Sequence, residues 1–299
     1  MQQNNICDNP LVRIKQLKDL TCSSGSYYRI VLRGHSRSTK SGCRCCDFTD
    51  GTVSFYQPQG KYSAGGMECM PCRDKESDGL AIEFSEELTK ADGATALQPQ
   101  KYSFFRYLYK ESLHISAKEK MQIERLMADV GSELEWGFDK YTTTLIANKI
   151  EEMLTYCKRF YDRQFQIRGE ACHCLMDKIK RLVDGQITAN RSADLPEGSI
   201  EDIAREMQMS AAYMEDYLLA NTGNNITEYT RKRQLELARK ALVSGNTPIA
   251  DIAASLGYSS ARSLSIIFTK IYGCTPAEYR YATKACRWCC DRNAGKRLK

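Results

Sequence analysis

The sequence has few of the features on which most enzymes and membrane proteins depend. It contains three histidines, His35, His114 and His173, and none of them is paired with a nucleophile at a spacing typical of catalysis. It has no phosphate-binding glycine loop and no run of about 18 apolar residues that could cross a membrane. The N-terminus lacks a basic start followed by an apolar run, so we expect no signal peptide. These absences favour a cytoplasmic protein that is not an enzyme; a cupin enzyme in particular would need more than His35.

Charge and cysteine content further restrict the class of protein and its possible partners. The 299 residues are enough for two domains, and the net charge of +6 is modest. From Pro196 onward there are 15 Lys and Arg against 11 Asp and Glu, so most of the positive excess lies in the last third. That asymmetry suits a partner with a phosphate backbone. The 14 cysteines are many, but in a long cytosolic chain we expect mostly free thiols.

The segment from Thr247 to Gly257 predicts a short helix that ends in a tight turn. Thr247 is placed to cap a helix that opens with Pro248. Gly257 supplies the left-handed residue that ends this helix. Between them, apolar residues at helical spacing form one stripe: Ile249, Ile252, Ala253 and Leu256.

A second helix is predicted directly after this turn. Ser259 or Ser260 caps it, Gly273 ends it, and Thr275-Pro276 starts the next helix. The predicted buried stripe consists of Leu264, Ile267, Phe268 and Ile271. Two short helices across a glycine turn, the second with a small and polar outer face, suit the major groove of DNA. The pattern therefore predicts a helix-turn-helix unit.

The same pattern occurs once before. Ile203, Ala204, Met207 and Ser210 precede Ile252, Ala253, Leu256 and Ser259 by 49 residues each, and Gly223 precedes Gly273 by 50. A helix from about Thr227 to Val243 would join the two units. We expect two helix-turn-helix units in one all-α domain.

The second unit resembles the AraC/XylS family of bacterial transcription regulators. The family pattern is I-x-x-I-A-x-x-x-G-[FY]-x-S, a few residues, and then F-x-[RK]-x-x-G-x-[TS]-P-x-x-[YF]-R. The matching positions are Ile249, Ile252, Ala253, Gly257, Tyr258, Ser259, Phe268, Lys270, Gly273, Thr275, Pro276, Tyr279 and Arg280. A weaker resemblance to the sensor half of the family lies in the phrases 47–55, 102–105 and 159–165.

This resemblance implies an N-terminal cupin-like (jelly-roll) sensor domain, a helical pair, and paired units that enter successive major-groove segments of double-stranded DNA. It also implies promoter binding beside RNA polymerase, with activation more often than repression, under the control of a signal at the N-terminal domain. A small-molecule effector and a homodimer belong to the same expectation. Coupling of this kind requires an effector that favours one arrangement by its differential affinity.

The residue pattern of the N-terminal third, taken without the resemblance, predicts a β-rich domain. Three short runs, 27–32, 52–56 and 80–84, are bounded by turn residues, and Asp50-Gly51 is a hairpin-turn signal. Closely spaced strands of this kind suggest a small antiparallel barrel or jelly roll. The predicted class is α+β, with the following divisions: sensor 1–115, helical pair 116–182, linker 183–198, DNA-binding domain 199–283 and basic cysteine-containing tail 284–299.

The helical pair is predicted from a capping box and two apolar stripes. Ser116 and Glu119 form the box. The first stripe is Ile123, Leu126, Met127 and Val130, and the second is Ile146, Ile150, Met153, Leu154, Cys157, Phe160 and Tyr161. We favour a dimer interface on these helices over purely internal packing.

The DNA contacts are predicted from the face of each second helix that the core leaves free. In the second unit this face carries Ser260, Ala261, Arg262 and Ser265; Arg262 is the principal candidate because arginine can donate twice to guanine. Ile266 stands where the family usually has a basic residue. Backbone contacts are expected from Lys270, Arg231 and Lys232, and first-unit contacts from Ser210, Ala212, Tyr213 and Asp216. With Glu215 and Asp216 on its outer face, the first unit is expected to position the domain more than to read sequence.

The cysteines supply the alternative hypothesis, a regulator that senses metal or redox state. The cluster is Cys43, Cys45, Cys46, Cys69 and Cys72, and a tetrahedral zinc site would use Cys43, Cys46, Cys69 and Cys72. The arrangement faintly resembles the zinc-thiolate domain of alkylation-response methyltransferase regulators. Their first pair is spaced Cys-x-x-x-Cys, and here Thr39 replaces one partner. The simpler interpretation is that these are ordinary thiols and that the protein has no cofactor.

Overall fold

A computed structural model of the chain divides into two units, each built from separated stretches of sequence. The structure describes residues 10–20, 26–34, 42–58, 78–90, 97–137, 139–171, 173–189 and 199–283. One unit, here called the N-terminal unit, comprises Met1–Cys172 and Gln208–Asn221. The C-terminal unit comprises His173–Met207 and Thr222–Lys299. The mixture of an antiparallel sheet with helices confirms the predicted α+β class. Within the described ranges, no helix is both long and apolar enough to span a bilayer.

The N-terminal unit contains a five-stranded antiparallel sheet. Its strands, in the order β1-β4-β2-β3-β5 across the sheet, are β1 (Val12–Gln16), β2 (Tyr27–Arg33), β3 (Gly51–Tyr56), β4 (Gly79–Ser85) and β5 (Leu113–Ile115). The three predicted strands are present as β2, β3 and β4. The predicted hairpin turn at Asp50-Gly51 is wrong. Gly51 already belongs to β3 and pairs with Ile115, and the connection from β2 starts at Gly34, well before Asp50.

Both faces of this sheet are covered, which explains its consecutive apolar residues. Ile30, Val31 and Leu32 point alternately to the two faces, and none is more than 2% exposed. On the face of Val31 lie Leu17, Leu20 and Ala81. On the other face, aromatic rings pack against one another: Tyr28, Phe84, Phe105, Phe55 and Phe104.

Two helices of the N-terminal unit bury the apolar stripes seen in the sequence. Helix α1 (Ala117–Glu135) begins at Ser116, whose predicted capping box with Glu119 is confirmed. Helix α2 (Thr142–Ala171) follows. All residues of both predicted stripes are buried within the single chain. A dimer contact through these helices would therefore have to use their other faces.

The C-terminal unit is helical where the structure describes it. It contains α3 (His173–Ala189), α4 (Ser199–Glu206), α6 (Ile226–Ser244), α7 (Ile249–Ser255), α8 (Ala261–Tyr272) and the helical segment 276–283. Helix α5 (Ala211–Thr222) belongs to the N-terminal unit except for its last residue. Helix α6 corresponds to the predicted joining helix, and Asn225 caps it.

Helix α3 reaches into the range predicted as a linker. It runs to Ala189, so the first part of 183–198 is helical. The cause is that Val183 and Ile187 continue the apolar stripe of Ile179 and are buried with it. Asp184 on this helix also forms a 2.7 Å ion pair with Arg233 of α6.

Candidate nucleic-acid interface

The turn between α7 and α8 has the geometry that the sequence predicts. Ile252 and Ala253 are buried, and Gly257 adopts a left-handed φ of 84°. The predicted cap by Thr247 is wrong: the N-cap is Pro248, which has an extended ψ of 143°, so the helix begins one residue later than expected. The carbonyl oxygen of Thr247 instead accepts a hydrogen bond from Arg280 at 2.6 Å.

Helix α8 is closed at both ends by the predicted residues. Ser260 is the N-cap and forms a reciprocal capping box with Ser263, while Gly273 ends the helix at a φ of 73°. Leu264 and Phe268 are fully buried. The prediction that Ile267 and Ile271 are also buried is wrong, since they are 36% and 55% exposed. A short helix that packs against α7 buries only a narrow stripe, and these two residues lie at its edge.

The remaining face of α8 carries the residues predicted to contact DNA. Arg262 is exposed, and Ala261 and Ser265 are half-buried beside it. The Ser265 hydroxyl donates to the carbonyl oxygen of Ala261 at 2.7 Å. Ile266 is 62% exposed on the same half of the helix. The outer surface is thus small and polar around one arginine, with one exposed apolar side chain.

The predicted backbone-contacting residues also lie at the surface of the C-terminal unit. Lys270 is exposed in the last turn of α8, and Arg231 and Lys232 are exposed in the first turns of α6. The ammonium of Lys232 donates to the side-chain oxygen of Asn224 at 2.6 Å. Lys232 is therefore partly held in place.

The residues of the first helix-turn-helix unit that are predicted to contact DNA form hydrogen bonds within the N-terminal unit instead. Tyr213 is 1% exposed, and its hydroxyl accepts a hydrogen bond from Arg168 at 2.6 Å. The backbone N–H and the hydroxyl of Ser210 both donate to Glu111, at 2.7 Å and 2.6 Å. Ala212 is half-buried.

Asp216 has two hydroxyl partners in the same unit. It accepts a 2.5 Å hydrogen bond from Tyr107 and another from Ser103. Burial raises the pKa of Tyr107 well above its usual range, and the charge of Asp216 adds to this effect. Tyr107 therefore stays protonated and donates to the carboxylate.

The sequence did not identify the partners of these residues. Arg168 continues the apolar face of α2 beyond Tyr161 at helical spacing, through Gln164 and Phe165, and all of these are buried. A charged residue on the apolar stripe of a helix is a signal that it has a buried partner. That signal marks Arg168, but it does not reveal the identity of the partner.

The internal repeat is visible in the backbone. Gln208 has a φ of 54° and lies 49 residues before Gly257, which has a φ of 84°. Gly223 and Gly273, which are 50 residues apart, have φ values of 68° and 73°. Left-handed residues thus recur at the offset found in the sequence, although the first one is not glycine.

The zinc ligands predicted from the cysteines are only partly within the described residues. Cys69 and Cys72 lie outside them. Cys43 and Cys46 are half-buried and Cys45 is exposed. Burial and the nearby charge of Asp47 raise the pKa of the Cys46 thiol.

A different trio is brought together in this region. Ligand atoms of Cys43, Asp47 and His114 lie within 4.8 Å of one another. Asp47, however, already accepts hydrogen bonds from Arg168 at 2.9 Å and 2.6 Å and from the backbone N–H of Arg44 at 2.7 Å. A metal ion at Asp47 would lie beside the guanidinium of Arg168 and would be repelled by its charge. The geometry therefore does not favour the metal-sensing alternative.

Comparison with known proteins supports the DNA-binding interpretation. Residues 203–282 match the helix-turn-helix domain family. The regulatory protein SoxS of Salmonella typhimurium is 34% identical over 83 residues, which cover 28% of this chain and 78% of SoxS. The transcriptional activator RhaR of Mannheimia succiniciproducens is 31% identical over 191 residues, which cover 61% of this chain and 66% of RhaR. An AraC-like transcription regulator of Streptomyces lividans is 33% identical over 82 residues, and the match spans 27% of its length.

Among solved structures, apo ToxT from Vibrio cholerae aligns with 91% of this chain at 11% identity and a TM-score of 0.31. The DNA-binding domain of AdpA, solved in complex with a target DNA, aligns with 36% of this chain at 20% identity and a TM-score of 0.30. The assignment rests on the sequence matches. They and the α7–α8 geometry define a helix-turn-helix protein. The chain belongs to the AraC/XylS family of transcription regulators.

Proposed function

We propose that the chain is a sequence-specific DNA-binding transcription activator whose DNA-binding half is controlled by a signal at its N-terminal unit. The observation that carries the proposal is the exposed face of α8. Its cap and its two fully buried side chains fix the helix, while Arg262 and small residues occupy the outer surface of its first half. A helix of this kind can enter a major groove. The family membership of the chain supports the same function.

Each residue of this face receives a role in the proposal. Arg262 donates to guanine O6 and N7, and Ser260, Ala261 and Ser265 allow close approach to the bases. Ile266 offers an apolar contact to a thymine methyl group. The cationic side chains neutralise backbone phosphates: Lys270, Arg231 and Lys232.

The finer features of the N-terminal unit also belong to the proposal. We assign its sheet to the cupin-like class, residues 1–115 to a sensor and 199–283 to the DNA-binding domain. We place the signal at a small pocket beside α5, which would have to widen to admit a small molecule. Its polar and charged lining consists of Lys101, Ser103, Tyr107, Lys158, Asp162 and Asp216. From the family resemblance we also propose that the protein contacts RNA polymerase, forms a homodimer and is located in the cytoplasm.

Arg262→Ala tests the role of α8. On the site that the wild-type protein prefers, we expect a loss of about 1–3 kcal/mol in binding free energy, together with a relaxed preference at one base pair. Fluorescence anisotropy with the preferred duplex and with its single-base variants measures both quantities. Arg181→Ala is the matched control, because Arg181 is an exposed arginine of the same unit outside the region that matches the family.

Two outcomes would contradict base recognition by Arg262 on α8. An equal loss of affinity on every duplex would show that Arg262 only contacts phosphate. An unchanged affinity, with Arg262→Ala indistinguishable from Arg181→Ala, would remove α8 from the interface.

A further inference from the structure

The helix that would enter DNA in the first helix-turn-helix unit is held by the N-terminal unit. From these contacts we infer that the N-terminal unit inhibits DNA binding by docking α5, and that activation requires α5 to be released. The inference rests on the proposed function and deepens it. It assigns the control to four docking residues of the N-terminal unit: Ser103, Tyr107, Glu111 and Arg168.

Glu111 holds the beginning of α5. Its carboxylate accepts from the backbone N–H and from the hydroxyl of Ser210, the residue that precedes the helix. Glu111 is 3% exposed, and it also accepts from the backbone N–H of Leu108 at 2.7 Å. A buried carboxylate loses water on folding and depends on such donors. The start of α5 and the loop around Glu111 therefore stabilise each other.

Arg168 holds the next turn. One guanidinium nitrogen donates to the Tyr213 hydroxyl at 2.6 Å, and the others donate to Asp47 and to the carbonyl oxygen of Gly42. The Tyr213 ring also packs edge-on against Phe165, with centroids 5.0 Å apart. Tyr213 is thus bound through both its ring and its hydroxyl.

Tyr107 and Ser103 hold the middle of the helix through Asp216. Near its end, the side-chain amide of Asn221 donates to the carbonyl oxygen of Phe165 at 3.4 Å. Contacts therefore follow α5 from Ser210, the residue before it, to its last turn. They give the carboxylate of Asp216 two hydrogen bonds, which are lost when α5 is released.

The docked side chains are those with which the first helix-turn-helix unit is predicted to contact DNA. Ser210, Tyr213 and Asp216 cannot contact a duplex while they bind Glu111, Arg168 and Tyr107. DNA must then bind a fraction of molecules in which α5 is free, and the apparent affinity falls by that fraction. Weakening the docking from the side of the N-terminal unit should raise this fraction without altering any DNA-facing residue.

Tyr107→Phe and Ser103→Ala, each in the full-length chain, test the inference. Tyr107→Phe removes one hydrogen bond to a carboxylate but keeps the ring that packs against Tyr161 and Tyr213. We expect faster hydrogen exchange in 211–221 and about tenfold tighter binding to the preferred duplex. Tyr102→Phe is the matched control, because that hydroxyl bonds to Glu151 and Thr155 and not to α5.

The combination of readouts separates the inference from the proposed function. Faster exchange in α5 with unchanged or weaker DNA binding would overturn the inference, and so would unchanged exchange in both variants. If wild type and variants bind the preferred duplex equally, inhibition by docking is wrong and the proposed function stands. If none of the proteins prefers any duplex, the proposed function fails and the inference fails with it.

Discussion

Arg168 shows how one residue can connect distant parts of a chain. Its guanidinium binds Asp47 from the loop before β3, the carbonyl oxygen of Gly42 and the hydroxyl of Tyr213 on α5. The Arg168 and Asp47 side chains are 2% and 1% exposed, so neither charge has water to replace its partner. Removing one partner of a buried ion pair leaves an uncompensated charge. The resulting loss of stability is larger than the net stabilisation that the intact pair provides.

Asp47→Asn should destabilise the protein in a pH-dependent way. Burial alone would raise the pKa of Asp47, but the hydrogen bonds and the charge of Arg168 outweigh it, so this pKa lies below its ordinary value. The stabilisation is then fully present above the unfolded-state pKa of about 3.9 and is lost as the pH falls through the folded-state pKa. We expect a loss of about 3–5 kcal/mol at neutral pH.

Urea unfolding of wild type and Asp47→Asn from pH 7 down to about pH 3 measures this difference. The gap between the two proteins should narrow below about pH 4. Asp19→Asn changes an exposed aspartate of the same unit and serves as the control. A gap that stays constant over the whole range would show that the ionised carboxylate does not stabilise the fold.

At the scale of the helices and turns, left-handed residues set where α7 and α8 end. Gly273 has a φ of 73° with open space around the position of a Cβ atom, so its constraint is conformational rather than steric. Gly185 has equally open surroundings but lies inside α3, where glycine only costs backbone entropy. The two glycines therefore form a matched pair.

Gly273→Ala should lower the free energy of unfolding by about 1–2 kcal/mol, because alanine is strained in the left-handed region. Gly185→Ala should raise it by about 0.5–1 kcal/mol. Thermal and urea unfolding of the two variants measure both changes. The same sign for both would contradict the role assigned to Gly273.

The elements that the sequence predicted are those specified by local pattern. The caps at Ser116 and Ser260 and the turns at Gly257 and Gly273 require only neighbouring residues, and all four are present. Strands β1 and β5 were missed because they are short and depend on pairing with distant strands. Ile267 shows the same limit: periodicity placed it in the core, but the narrow contact of a short helix leaves it exposed.

In the candidate site, too, features set by local pattern could be predicted and those set by distant partners could not. Arg262 and its neighbours could be predicted because their exposure follows from the buried face of one helix. The docking of Tyr213 and Asp216 could not, because their partners Arg168 and Tyr107 lie 45 and 109 residues away in the sequence. No local pattern encodes such a pairing.

At the scale of the whole molecule, the division into units does not follow the division of the sequence. Gln208–Asn221, within the region that matches the helix-turn-helix family, belongs by its contacts to the N-terminal unit. The segment that carries α5 therefore matches one family by sequence and belongs to the N-terminal unit by its contacts. We propose that α5 transmits a signal at the N-terminal unit to DNA binding.

Selection of random DNA duplexes by the full-length chain tests whether the protein reads DNA through two helix-turn-helix units. We expect enrichment of one motif whose two halves lie about 10 base pairs apart, the spacing of successive major-groove segments. Tyr107→Phe should recover the same motif at lower protein concentration, and Arg262→Ala should lose the preference in one half. Retention of duplexes without any common motif, by wild type and Tyr107→Phe alike, would contradict sequence-specific binding.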